Sequence, residues 1–300
     1  MSNIKVTFFM VVCGPDLVIT DYAVKSFAQI RSNDFKLKIY SNWVSSALKE
    51  KYFPEWEQLH YVDLVKNEWQ TDDKKPMDPW LDGPFERHHD VLDRELKKIK
   101  TPYFATVDSD FEILDARFIS VMLEQLDANP RLVAMSTDYS PKIAQHYDSY
   151  SQEVICLNER WHPWFCIYKR EALQCNVSHA YYEEIIPGPV PRNAWDTMGY
   201  FQRALKQTRG WQLAALDPKY QPCFIHYAAF AKNRDINENN VAPYRRLMIL
   251  QRRGFFGCAN WIARKIDQFF TKPLANCLYW IRFRRVDRSD YLPGWGKGEK

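Results

Sequence analysis

The stretch TPYFATVDSDFEIL, residues 101–114, opens on a turn-forming Thr-Pro, continues as an apolar run and ends by setting Asp108 and Asp110 one residue apart. The run has the length and composition of a buried strand. Two like charges at such spacing repel unless a cation lies between them. Two readings are open here. The pair converges on a hard divalent cation such as Mg2+ or Mn2+, which prefers oxygen ligands. Alternatively, Asp110 caps a helix expected from about residue 115.

Working outward, IKVTFFMVVC (4–13), FKLKIY (35–40), LHYVDL (59–64), RLVAMS (131–136) and WFCIYK (164–169) are further strand candidates. Helical patterns lie between and after them. One covers 17–30, where Ile19, Tyr22, Ala23, Phe27 and Ile30 recur at helical spacing, and others fall near 44–52, 86–99, 115–127 and 197–208. This βαβα alternation predicts an α/β fold, a mostly parallel sheet flanked by helices with ligands at the carboxyl ends of its strands. The polar stretch 66–86 and IIPGPVPRN (185–193) are expected to be loops over that edge.

A chain of 300 residues, 46% hydrophobic and 15% aromatic, can bury a substantial core. Seven cysteines without a CxxC pair argue against a disulfide framework and against a zinc site, and fit a reducing cytoplasm. The N-terminal apolar run reads as a first strand rather than a secretion signal. No segment approaches the roughly 20 apolar residues of a membrane-spanning helix.

Charge divides the chain. Residues 241–290 carry eleven Lys/Arg against three Asp, and 291–300 two Lys against one Glu, so a net +4 leaves about −5 for residues 1–240. The division predicts a main domain over 1–240 and a basic, aromatic tail over 241–300. In the tail Trp261, Ile262, Ile266, Phe269 and Phe270 recur at helical spacing while Arg264, Lys265 and Asp267 lie on other faces. Pro273 breaks the pattern, and Leu278 and Ile281 then stand beside Arg282, Arg284 and Arg285. The pattern fits an amphipathic helical extension lying on an anionic membrane surface, without nucleic acid as partner. The same stripe would also fill a core, as a helix packed on the main domain with its basic face solvated, but the charge favours the membrane.

Three segments carry a family resemblance. TPYFATVDSDFEIL resembles the metal-binding strand end of GT-A fold glycosyltransferases. VVCGPDLVITDYAVKSF (11–27) is similar to the first strand, loop and helix of the inverting family 2 enzymes, with Cys13, Gly14 and Pro15 where that family usually has Thr, Tyr and Asn. NAWDTMGYFQRALKQTRGWQL (193–213) is similar to the segment in which an acidic pair opens a helix ending in Gly plus an aromatic residue. Together the match spans about residues 4–230.

The resemblance implies a GT-A, Rossmann-like fold and transfer of a sugar from a nucleotide-sugar donor, a UDP-sugar, with Mn2+ or Mg2+ as cofactor. Asp108 and Asp110 would hold the metal with His226 as third ligand. Asp196 would be the catalytic base. Cys13, Gly14, Asn42, Asp93, Ser109, Lys232 and Arg234 would contact the donor. The sequence also departs from the family. Ser41 and Asn42 stand where an acidic residue usually meets the uracil. Val91, Leu92 and Asp93 replace an Ala-Arg-Asn triplet, and Trp195 takes the first place of the acidic pair.

Each assignment has a plainer counterpart. Asp196 precedes a helix pattern as an N-cap does, His226 could be a hydrogen-bonded core residue, and Lys232 and Arg234 a solvated basic surface. Trp161, His162, Trp164 and Trp195 could stack on acceptor sugars or simply pack. A retaining GT-A enzyme would need no base at Asp196. A nucleotidyltransferase would need a glycine-rich, basic loop that VVCGPDLVIT lacks. A membrane adaptor would leave the paired aspartates unexplained. The expected setting is bacterial surface polysaccharide or lipopolysaccharide assembly, with a glycan or lipid-linked acceptor and the protein held on the cytoplasmic face of the cell membrane.

Overall fold

The structure is a computed structural model that describes residues 4–13, 17–66, 88–140, 145–148, 153–156, 160–175, 183–184, 193–195, 198–207, 210–227 and 239–252. Strand β1 (Val6–Cys13) is followed by α1 (Leu17–Ser26), β2 (Phe35–Trp43), α2 (Ser46–Glu57) and β3 (Val62–Val65). Then come α3 (His88–Leu96), β4 (Tyr103–Val107), β5 (Phe111–Ile113), α4 (Arg117–Ala128) and β6 (Leu132–Ser136). Short strands β7 (Tyr139–Ser140), β8 (Gln145–Asp148), β9 (Glu153–Cys156) and β10 (Arg160–Trp161) precede β11 (Phe165–Lys169). The remainder comprises β12 (Glu183–Glu184), β13 (Asn193–Trp195), α5 (Gly199–Gln207), β14 (Gln212–Ala215), β15 (Phe224–His226) and α6 (Val241–Arg252).

Seven strands form the main sheet in the order β14-β6-β11-β4-β1-β2-β3. Every pairing in it is parallel except those of β11, which runs antiparallel between β4 and β6. The sheet is therefore the mostly parallel one that the alternation predicts. β1 is apolar on both faces because both are covered. Phe8, Met10 and Val12 point into a core closed by α1, α2 and α4, with Phe27, Trp56 and Phe118 among its buried rings. Phe9 and Val11 point the other way, toward α3 and α5.

Burial also moved two helix ends. The pattern over 17–30 is α-helical only to Ser26 and tightens to a 3-10 turn over Phe27–Gln29. The pattern expected to stop at 52 instead runs through Pro54 to Glu57. Tyr52, Phe53 and Trp56 are buried and in ring contact, and the Trp56 indole N–H donates to Asp21 at 3.0 Å. That burial outweighs the backbone hydrogen bond that proline removes.

The sequence reading missed the ladder between β5 and β15, whose three-residue strands are too short to show periodicity. One face of it, Phe111, Ile113 and Phe224, joins the aromatic core, where Phe111 stacks on Phe224 at 5.1 Å. On its other face lies the Glu112 side chain, 1% exposed. Tyr227 donates to Glu112 Oε2 at 2.5 Å, and Arg245 of α6 grips both carboxylate oxygens, Nε lying 2.9 Å from each. Arg245 also lies over the Tyr22 ring of α1, so α6 is anchored to the body through one buried ion pair. The tail helices expected beyond residue 253 lie outside the described residues, as do all but Lys66 of the loop expected over 66–86 and all but Asn193 of the one expected over 185–193.

Removing one partner of such a pair strands the other charge. Arg245→Ala is expected to destabilise the protein by about 3 kcal/mol, and Glu112→Leu combined with Arg245→Met to recover most of that loss. Urea unfolding of the two variants checks this.

Candidate functional site

Cys13, Asn42 and Asp108 stand at or just after the carboxyl ends of β1, β2 and β4, on one edge of the sheet. At that edge β2 carries a bulge. Val12 pairs with Ser41 and Cys13 with Trp43, leaving Asn42 as the extra residue. Asn42 is 6% exposed and Ser41 fully buried. Asp93 is half-buried on α3. That helix is fixed beneath the edge by Glu95, which binds Lys38, Arg94 and Lys98. Burial alone would raise the Glu95 carboxyl, but those three cations hold it at about 2.

The paired aspartates lie on the turn that leaves β4. The Asp108 N–H donates to the Trp164 carbonyl at 2.9 Å, and the Phe111 N–H donates back to the Asp108 carbonyl at 3.1 Å. This turn reverses the chain into β5, with Ser109 half-buried between the carboxylates. The β5/β15 register sets Phe111 opposite His226, and the Tyr227 N–H donates to the Asp110 carbonyl at 3.1 Å. Register thus delivers the imidazole to the carboxylates. His226 Nε2 lies 3.2 Å from Asp110 Oδ1 and 3.5 Å from Asp108 Oδ2. Asp110 does not cap α4. The N-cap position there is Ala116, without a side-chain bond, and it is Asp115 that accepts from the Arg117 N–H at 3.0 Å.

One ligand atom each from Asp108, Asp110 and His226 lies within 4.8 Å of the others. Two carboxylate oxygens and an imidazole nitrogen form a donor set suited to a divalent ion such as Mn2+. The Asp110 and His226 side chains are buried, whereas that of Asp108 is 31% exposed, which leaves one side open to an incoming ligand. Without a metal, burial pulls the His226 imidazole down, but hydrogen bonds and charge from Asp108 and Asp110 outweigh it and raise it to about 9. The charged imidazole is then favoured beside the two carboxylates.

The other expected site residues are less closely grouped. His162 and Trp164 lie at the same edge, and Trp164 stacks between two imidazoles: His162 at 3.9 Å and His226 at 4.1 Å. Only the edge of its indole is left for a further ring. Trp161 is 8% exposed and packs on Tyr139 at 4.7 Å, with the Lys206 ammonium 5.3 Å from its ring. Gln202 of α5 bonds the Trp161 backbone at both ends, accepting from its N–H and donating to its carbonyl. Trp195 ends β13, in a separate four-stranded sheet. Gly14, Asp196, Lys232 and Arg234 lie outside the described residues, as does the side chain of Cys13. Glu112, Tyr227 and Arg245, which brace the back of the metal ladder, were not anticipated. Their one signal in the sequence is a carboxylate inside an apolar run.

No protein-family model matches the chain, and no curated protein matches it in sequence. Among solved structures it is similar to the mannosyltransferase PcManGT from Pyrobaculum calidifontis in complex with GDP-Man and Mn2+, at 12% identity and a TM-score of 0.46 over 71% of this chain and 55% of that one. It is similar to S. aureus TarS 1-349 in complex with UDP-GlcNAc, at 12% identity and a TM-score of 0.38 over 71% of this chain and 59% of that one. It is also similar to glucosyl-3-phosphoglycerate synthase from Mycobacterium tuberculosis in complex with Mn2+, UDP and phosphoglyceric acid, at 10% identity and a TM-score of 0.43 over 70% and 67% of the two chains. The chain thus spans little more than half of the first two, and likeness at this level carries no argument about its chemistry.

A metal needs the unprotonated Nε2, so its binding displaces the His226 proton. In metal-free protein the stabilisation from the charged imidazole is complete below pH 6.5, its ordinary value, and is lost as pH rises through about 9. Mn2+ affinity is expected to rise about tenfold per pH unit from 6.5 and to level off above 9. Mn2+ titrations followed by EPR check the slope, and His226→Asn should flatten it.

Proposed function

We propose that the chain is a metal-dependent glycosyltransferase. It moves a sugar from a nucleotide-sugar donor, a UDP-sugar by the family resemblance, to a glycan or lipid-linked acceptor with inversion at the anomeric carbon. The observation that carries this reading is the convergence of Asp108, Asp110 and His226 at the carboxyl edge of a mostly parallel sheet, where α/β folds bind their ligands. A divalent cation held there supplies Lewis-acid neutralisation of the charge that develops on the departing diphosphate.

The chain's own residues do the rest. Cys13 and Gly14 contact the donor along the end of β1, and Asn42 offers its amide to the base from the β2 bulge. Asp93 and Ser109 complete the wall, and Lys232 and Arg234 hold the diphosphate by charge-assisted hydrogen bonds. Asp196 takes the proton of the attacking acceptor hydroxyl. Two residues after it, buried Met198 adopts φ 66°. Such left-handed backbone is uncommon for a non-glycine residue and gathers at functional sites. Trp161, His162, Trp164 and Trp195 border the acceptor side.

The tail accounts for where the acceptor is met. Among the described residues no helix is long and apolar enough to cross a membrane. Residues 254–285 alternate large apolar groups with arginines, which supports reversible attachment to an anionic leaflet and a lipid-linked acceptor in bacterial surface-glycan assembly.

Two experiments test the proposal. Screening nucleotide sugars for Mn2+-dependent thermal stabilisation identifies the donor. Asp110→Asn should then lose both that stabilisation and transfer, whereas Asp196→Asn should keep donor binding and lose transfer by about 100-fold or more. Near-native transfer by Asp196→Asn would reassign that residue to helix capping. The anomeric configuration of the product, read by NMR, decides inversion. Separately, co-sedimentation with anionic vesicles should be strong for the full chain and weak for a truncation after Arg252, which keeps α6 and its bond to Glu112.

A further inference from the structure

We infer that Trp164 is the positioning residue for His226, holding the imidazole plane by stacking where a metal-bound histidine usually relies on a hydrogen bond. The inference rests on the metal reading of Asp108, Asp110 and His226. Histidine ligands normally donate their second ring N–H to a carboxylate or carbonyl, which fixes the ring's orientation. His226 Nδ1 is buried and has no hydrogen-bond partner among the described residues. The ring must therefore be oriented by something else.

The Trp164 indole supplies that orientation. It lies 4.1 Å from the His226 ring at 26°, and His162 lies 3.9 Å from the same indole at 20°. Two rings that close on a single face would overlap each other, so the imidazoles sit on opposite faces and His162 backs the indole. Backbone contacts immobilise the segment that carries it. Thr106 Oγ1 donates to the Pro163 carbonyl at 3.0 Å, and Ser136 Oγ donates to the His162 carbonyl at 2.6 Å. The next residue, Phe165, enters β11 directly opposite Val107. The Trp164 carbonyl in turn accepts the Asp108 N–H at 2.9 Å. One residue thus bonds the backbone of a carboxylate ligand through its carbonyl and stacks on the imidazole ligand through its indole.

Mn2+ affinity of the full chain, measured by EPR of the free ion, tests this with the wild type as the first measurement. Trp164→Phe retains a stacking ring and should bind within about threefold of the wild type, whereas Trp164→Leu fills space without a ring and should bind about 10- to 100-fold more weakly. Thermal unfolding in chelator should separate the two variants little, because packing on that side is kept. Should Trp164→Leu not fold, Trp164→Met provides the same comparison. Native affinity in the Leu or Met variant, or equal losses in the Phe and Leu variants, overturns the positioning role. Absence of Mn2+ binding by the wild type overturns the metal reading itself, and this inference with it.

Discussion

Three backbone pairs between β5 and β15 couple parts of the chain more than a hundred residues apart, and the candidate site depends on them. The pairing sets His226 opposite Phe111 and so within 3.5 Å of both aspartates. A slip of one residue would turn His226 to the other face and replace it with Ile225 or Tyr227. The register is protected because each face of the ladder is committed. Phe111, Ile113 and Phe224 are buried in the aromatic core, and Glu112, Ile225 and Tyr227 face α6 and α1.

Charge burial on both faces gives the ladder its electrostatic character. Glu112 is buried with a bidentate Arg245 and the Tyr227 hydroxyl, a fully bonded arrangement of the kind that buried carboxylates require. Asp110 is buried beside a histidine whose pairing with Asp108 and Asp110 raises its proton affinity. The first arrangement is closed. The second keeps Asp108 partly exposed, and a proton there is exchangeable for a metal. The two carboxylates stand only two residues apart, Asp110 on the turn that enters β5 and Glu112 within the strand.

The aromatic residues near the edge are committed to packing as much as to any ligand. Trp164 is stacked on both faces, and Trp161 is held through its backbone by Gln202, whose amide also reaches the Tyr168 hydroxyl at 2.9 Å. That order gives the edge a rigid wall on the β11 side, with α5 fixed behind it.

The sequence by itself determined the frame. Alternating apolar runs and helical patterns specify parallel strands because a strand covered on both faces must be apolar throughout, and TPYFATVDSDFEIL shows directly that two carboxylates leave such a strand. His226 and Asn42 became candidates through what the family resemblance implies for their positions. Tertiary structure decided what short elements and long-range pairing control. A three-residue strand has no period to read, so the ladder that unites Asp110 with His226 was invisible, as were the Glu112–Arg245 pair and the stacking of Trp164 between two imidazoles. The helix expected to stop near 52 continues through Pro54, because Trp56 gains more from burial than the backbone loses at proline. Whether Asp110 capped a helix or faced His226 was likewise decided by register, a property of two strands together and of neither alone.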